Sequence, residues 1–190
     1  MPPKLRFDKE TLVQAGVELV RKNGFDSLTA RSLGGALGCS PQPIFSCFEN
    51  MEELKQEVLD RAYRLYISYL QESISSGLYP AYKASGMGYI QFAKEEPELF
   101  RMLFMRDRCR EDYAAQNEDW GSVVEMIMSA NGFSRETAER VHLEMWVCVH
   151  GIASMMVTSF YPMDMELVSG ILSDVYLGIR DRMLKLEEKA

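Results

Sequence analysis

The chain has 190 residues, 47% of them hydrophobic and 26% charged, which excludes a disordered or fibrous polypeptide and allows one large domain or two small ones. It holds 21 Lys and Arg against 28 Asp and Glu, a net charge of -7. Taken over the whole chain, that balance speaks against nucleic acid, because strong DNA binders carry a basic excess.

Apolar residues recur at helical spacing from the start, and strand signals are nearly absent. Asp8 can cap a first helix through Leu12, Ala15, Gly16, Leu19 and Val20, which Gly24 stops. A second, short helix begins after Thr29 and ends at Gly38. Ser40 followed by Pro41 is a strong start for a third. Asn50 with Glu53 opens a long fourth helix, which Gly77 and Pro80 break. Helices follow from Pro80 to about Glu95, from Pro97 toward the charged stretch Arg106 to Arg110, and from Trp120 to Ala130. Ser134 caps a helix to about Phe160, and Asp164 caps the last, to about Glu187. The expectation is an all-α fold of about nine helices.

Four cysteines, Cys39, Cys47, Cys109 and Cys148, form no C-x-x-C pair, and no His stands at zinc-finger spacing from them. That usage fits a reducing compartment. The first residues lack the apolar core of a signal peptide, and the longest apolar stretch, around Trp146 to Val157, is too short to span a bilayer. A cytoplasmic protein without metal or cofactor is expected. Thirteen Met residues fit either core filling or an adaptable binding surface.

The charge is unevenly distributed. Residues 1–48 hold six basic and four acidic residues, a net of +2. The rest hold 15 and 24, a net of -9. The acidity therefore lies outside the N-terminal part. Within that part, the segment from Leu28 to Phe48 reads LTARSLGGALGCSPQPIFSCF. Two short helices around a Gly-containing turn form a helix-turn-helix, whose second helix enters the major groove. Leu33, Leu37, Ile44 and Phe48 supply its apolar faces. Pro41, Gln42, Pro43 and Ser46 would face the bases: Gln42 suits adenine, and the prolines suit a thymine methyl. Thr29 and Ser40 are placed for phosphate.

The first 55 or so residues resemble the DNA-binding domain of the TetR family of transcriptional regulators. The likeness rests on Asn23-Gly24-Phe25 after the first helix, Thr29 opening the second, and the Gly38-Cys39-Ser40 turn. Ile44-Phe45 with Phe48, and Leu54 in the fourth helix, complete it. The stretch from Tyr89 to Arg101, with Trp146, His150 and Gly151, is similar to a ligand-domain subclass of that family named for a Trp-His-Gly signature. The resemblance implies a homodimer with one ligand pocket per subunit. The family commonly has Tyr where this chain has Phe45, His at Cys47 and Lys at Met51, and the Tyr and Lys usually contact phosphate. Lys4, Arg6, Thr29, Arg31 and Ser40 remain available for that role.

The reading is a ligand-responsive DNA-binding regulator, a repressor released from its operator by a small, largely apolar effector. Residues 1–50 form the helix-turn-helix domain, and residues 51–190 the ligand-binding and dimerisation domain. The DNA-binding set is Thr29, Arg31, Ser40, Pro41, Gln42, Pro43, Phe45 and Ser46. The pocket set is Phe92, Phe100, Leu103, Phe104, Trp120, Met126, Trp146, His150 and Met155, where an apolar ligand would lie between helices. A dimer face on the last two helices would use Gly151, Ala153, Ser154, Leu167, Gly170, Ile171, Asp174, Val175 and Gly178. The alternative is a helical ligand-binding or protein-interaction module with a degenerate, weakly DNA-binding helix-turn-helix.

Other constellations are weaker. His142 and His150, with Glu139, are a poor metal site, since eight residues set the two rings about 80 degrees apart around a helix. Cys109 between Arg108 and Arg110 has the surroundings of an activated thiol but no His-Asp pairing, so no enzyme is expected. Cys39 and Cys47 bracket the third helix and pose a redox question.

Overall fold

A computed structural model of the chain describes residues 7–107 and 118–187. Lys4, Arg6 and the Cys109 cluster lie outside the described residues. The described elements are eight α-helices: α1 (Lys9–Asn23), α2 (Ala30–Ala36), α3 (Met51–Ser75), α4 (Ala81–Glu95), α5 (Pro97–Phe104), α6 (Glu118–Asn131), α7 (Arg135–Val157) and α8 (Met165–Glu187). Two single 3₁₀ turns, Phe25–Ser27 and Ile44–Ser46, complete the list. No strand occurs among the described residues.

The helix starts follow the capping chemistry. Asp8 accepts from the Thr11 N–H at 2.8 Å, Asp164 from the Leu167 N–H at 2.8 Å, and Ser134 from the Thr137 N–H at 3.2 Å. Thr29 and Ser32 form a reciprocal capping box. Asn50 accepts from the Glu53 N–H at 2.9 Å, while the Glu53 carboxylate reaches past it to the Glu49 N–H. Gly24 and Gly132 close α1 and α6 at φ 79 and φ 73. α7 ends at Val157, three residues before the expected Phe160, and Ser159 takes φ 54 in the turn that follows.

The chain forms two compact units. One is Met1–Ile67 with Glu95–Arg106. Its core includes Leu12, Val20, Leu33, Ile44, Phe48, Leu54 and Val58, all at most 2% exposed. Gly16 lets α1 approach α3, since a Cβ there would lie 2.7 Å from Val58 Cγ2. The distant segment α5 packs on α1. A forked ion pair fixes that contact: Arg21 donates to both Glu96 oxygens, at 2.8 and 2.6 Å, and also to Glu18 at 2.6 Å. This pairing holds the Arg21 guanidinium above its ordinary pKa.

The second unit is Ser68–Lys94 with Asp107–Ala190. Within it, α7 packs against both α6 and α8. Val124, Ile127, Phe133, Ala138, Val141 and Met183 form a sealed cluster, with Tyr82, Trp120 and Tyr176 packed on it. Gly88 marks a close crossing of α4 over the end of α3, because a Cβ there would meet the Tyr69 carbonyl oxygen at 2.8 Å.

One expected helix takes another form. The segment after Ser40 is a 3₁₀ turn rather than an α-helix. Each proline disfavours the α conformation of the residue before it, so Pro43 acts against Gln42 and Pro41 against Ser40. The N–H groups of Ile44 and Ser46 then bond three residues back, to Pro41 and Pro43, at 3.1 and 3.3 Å.

Candidate nucleic-acid interface

The site is built around the end of α2. Leu37 caps the helix and Gly38 follows at φ 67. The Gly38 N–H donates to Gly35 at 3.2 Å, and the Cys39 N–H to Gly34 at 2.9 Å. This pair of bonds is a Schellman closure, and it reverses the chain sharply. The returning segment lies directly on α2. A Cβ at Gly34 would stand 2.9 Å from the Cys39 carbonyl oxygen and 3.3 Å from the Ser40 carbonyl carbon. Ile44 and Phe48 then anchor the 3₁₀ turn in the core, at 0% and 2% exposure. The packing leaves Pro41, Gln42, Phe45 and Ser46 facing solvent, with Pro43 half-buried.

Thr29, Arg31 and Ser40 are exposed as well. The Thr29 hydroxyl is engaged in its capping box, and the Ser46 hydroxyl donates to the Pro43 carbonyl at 2.6 Å. Cys47 donates to the Phe7 carbonyl at 3.3 Å, and Cys39 and Cys47 are free thiols. Several nearby cations are tied up internally. Lys9 pairs with Glu53, Lys55 with Glu52, Arg61 with Glu10, and Arg21 as above. Lys22 and Arg31 are the cations described up to residue 61 that make no ion pair.

The residues expected to line an effector pocket fall into separate groups. Phe100, Leu103 and Phe104 belong to the first unit, where Phe104 meets Phe100 and Tyr66 at ring distances of 5.1 Å. Phe92, Trp120, Met126, Trp146, His150 and Met155 belong to the second. Phe92 is sealed against Tyr69, and Trp120 lies 4.3 Å from the His142 ring. Trp146 stacks on His150 at 5.3 Å and 16°, while His150 Nδ1 meets the hydroxyl of buried Tyr89 at 2.9 Å. An open cleft of about 270 Å³ in the first unit is lined partly by Asn23, Glu98, Arg101 and Arg106, and by none of the expected pocket residues.

His142 is a feature that sequence spacing from His150 did not single out. Its Nδ1 meets the Tyr82 hydroxyl at 3.2 Å, and burial lowers its pKa to about 4. The unfolded chain takes up a proton near 6.5, but the folded chain does so only near 4. Stability therefore falls as pH drops from 6.5 to 4, by on the order of 2 kcal/mol once its partial exposure is allowed for. Denaturant unfolding of a His142→Gln variant across that range should show a shallower acid limb than the native chain.

A second surface lies on α7 and α8. Leu143, Trp146 and Val147 are 49%, 43% and 61% exposed, and Gly151 continues their stripe at helical spacing. Leu167, Gly170, Asp174, Leu177 and Gly178 form the matching exposed stripe on α8. A Cβ at Gly151, Gly170 or Gly178 would meet nothing within 4 Å. Ala153, by contrast, is fully buried in its own unit. Leu143, Val147 and Leu177 were absent from the sequence-based face, although the three-residue spacing of Leu143 from Trp146 and the four-residue spacing of Val147 from Gly151 could have disclosed the first two.

Among the described residues no group of three or more His, Cys, Asp or Glu side chains could hold a metal ion. No helix among them is long and apolar enough to cross a membrane.

Comparison with known proteins gives the class. Residues 82–169 match the family model of the tetracyclin repressor-like C-terminal domain. An HTH-type transcriptional regulator of Mycobacterium tuberculosis is 23% identical over 157 residues, covering 80% of this chain and 72% of the relative. A TetR-like transcriptional regulator from Rhodococcus sp. RHA1 superposes with a TM-score of 0.69 at 11% identity, covering 93% of this chain and 96% of that one. A TetR family protein from Vibrio parahaemolyticus gives 0.55 at 15% identity, covering 88% and 95%. The chain has the all-helical fold of TetR-like regulators.

Proposed function

We propose that the chain is a TetR family transcriptional regulator that binds operator DNA as a homodimer. The observation that carries this reading is the Schellman-closed turn after α2, which presents an exposed, core-anchored segment in a chain whose residues 82–169 match a tetracyclin repressor-like C-terminal domain. Residues 1–50 serve as the DNA-binding module and residues 51–190 as the ligand-binding and dimerisation part. The stack of Trp146 on His150, next to Gly151, supports the Trp-His-Gly subclass.

The exposed stripes of α7 and α8 join two copies in a four-helix face. One arrangement of the dimer sets the two reading turns one DNA turn apart, about 34 to 36 Å. A small, largely apolar effector that prefers another arrangement lowers operator affinity by its differential binding free energy, and in this reading the protein is a cytoplasmic repressor released by that effector. α3 has residues in both units and is the lever.

DNase footprinting on the DNA upstream of the chain's own coding sequence tests this. Two protected half-sites at one-turn spacing, or a multiple of it, are expected. A chain that protects no half-site there and binds as a single copy would instead fit the interaction-module reading, which the ion pairing of Lys9, Arg21, Lys55 and Arg61 favours.

A further inference from the structure

From Ser32 to Phe48 the chain contains no Lys, Arg, Asp or Glu. In the major groove each base asks for a different partner. Guanine takes the donors of Arg or Lys, cytosine takes a carboxylate, adenine takes an Asn or Gln amide, and thymine takes an apolar contact with its methyl group. The reading turn therefore lacks the charged partners of guanine and cytosine. It exposes one amide, Gln42, and an apolar surface made by Pro41, Phe45 and the outer side of Pro43.

Phe45 is the telling residue. It is 50% exposed, while Ile44 beside it is fully sealed and Phe48 nearly so. Gln42 lies in the turn that leads into the 3₁₀ segment and Phe45 within that segment, three residues apart, and both are exposed. The Ser46 hydroxyl has its proton committed to the Pro43 carbonyl, which leaves it no donor for a base acceptor.

We propose that this turn reads A·T base pairs, with the thymine C5-methyl held against Pro41 and Phe45 and the adenine edge bound by Gln42. The proposal rests on the DNA-binding reading above and names what that site distinguishes. Its cost is lost hydrogen bonding to G·C, and its gain is burial of a methyl group on an otherwise wet aromatic face.

The experiment uses the full chain and a pool of randomised duplex DNA, from which bound sequences are selected. A·T pairs are expected at the positions under each turn. In the selected duplex each thymine is then replaced by deoxyuridine, which removes the methyl alone. Affinity should fall about four-fold for each methyl that the protein contacts. In the Pro41→Ala/Phe45→Ala double variant the same replacement should leave affinity unchanged. Selection of G·C at those positions overturns the proposal. So does a specific site bound equally well with thymine and with deoxyuridine throughout. A pool that yields no enriched duplex at low salt overturns the DNA-binding reading itself, a result distinct from a methyl-independent site.

Discussion

Replacing Gly34 with Val should remove specific DNA binding and destabilise the first unit by about 2 to 3 kcal/mol. The reason is geometric. A Cβ at position 34 would stand 2.9 Å from the Cys39 carbonyl oxygen, and that oxygen belongs to backbone fixed by the Schellman closure. No side-chain rotation relieves the clash, so the returning segment must lift off α2. Pro41, Gln42 and Phe45 then lose their fixed place relative to the helix. Operator affinity should drop at least ten-fold, about 1.4 kcal/mol or more. Gly35 supplies the internal control, because a Cβ there would meet nothing within 4 Å. Gly35→Ala should be neutral, or stabilising by up to about 1 kcal/mol from its helix propensity alone. Denaturant melts and fluorescence anisotropy on both variants check the pair. Equal behaviour of the two would remove the argument that α2 and the turn need this contact.

The second large effect is expected at Val147. It is 61% exposed on α7, one turn from exposed Leu143 and adjacent to exposed Trp146. If two copies meet there, Val147→Glu places a carboxylate in an apolar contact. Burying an unpaired charge costs several kcal/mol, so dimer affinity should fall at least a hundred-fold. Operator affinity should fall with it, since each copy alone holds one half-site. The stability of the single chain should barely change. Leu78→Glu is the comparison: Leu78 is 78% exposed but lies in the turn before α4, outside α7 and α8. Sedimentation of the two variants should separate monomer from dimer. A dimeric Val147→Glu chain would move the subunit interface elsewhere.

Helix limits were readable from the chain wherever a local chemical device sets them. Asp8, Thr29, Ser134 and Asp164 each accept the backbone N–H that their position calls for, and Gly24 and Gly132 take the left-handed turn that stops a helix. The 3₁₀ turn at Ile44 was harder, because Ser40-Pro41 is a true start signal and the second proline works against what the first begins. Long-range contacts left no mark in the spacing of apolar residues. Periodicity shows that Phe100 and Leu103 share a buried face, but not that α5 lies on α1, some eighty residues earlier in the chain. The same limit divided the expected pocket set between two units. It also hid Gly34, whose role depends on backbone that returns to it only after the turn.

The net charge of the chain takes on a more specific meaning in this light. The described cations up to residue 61 are mostly spent on internal carboxylates, which leaves Lys22 and Arg31 in each copy, beside Lys4 and Arg6 outside the described residues. Binding of a dimer then neutralises few phosphates. Fluorescence anisotropy of operator DNA over a salt series tests this most directly. A specific complex is expected at about 50 mM salt, with log affinity falling against log salt at a slope of about -4 to -7. Absence of a specific complex at low salt, or a slope near -10 from a broad basic field, would contradict it.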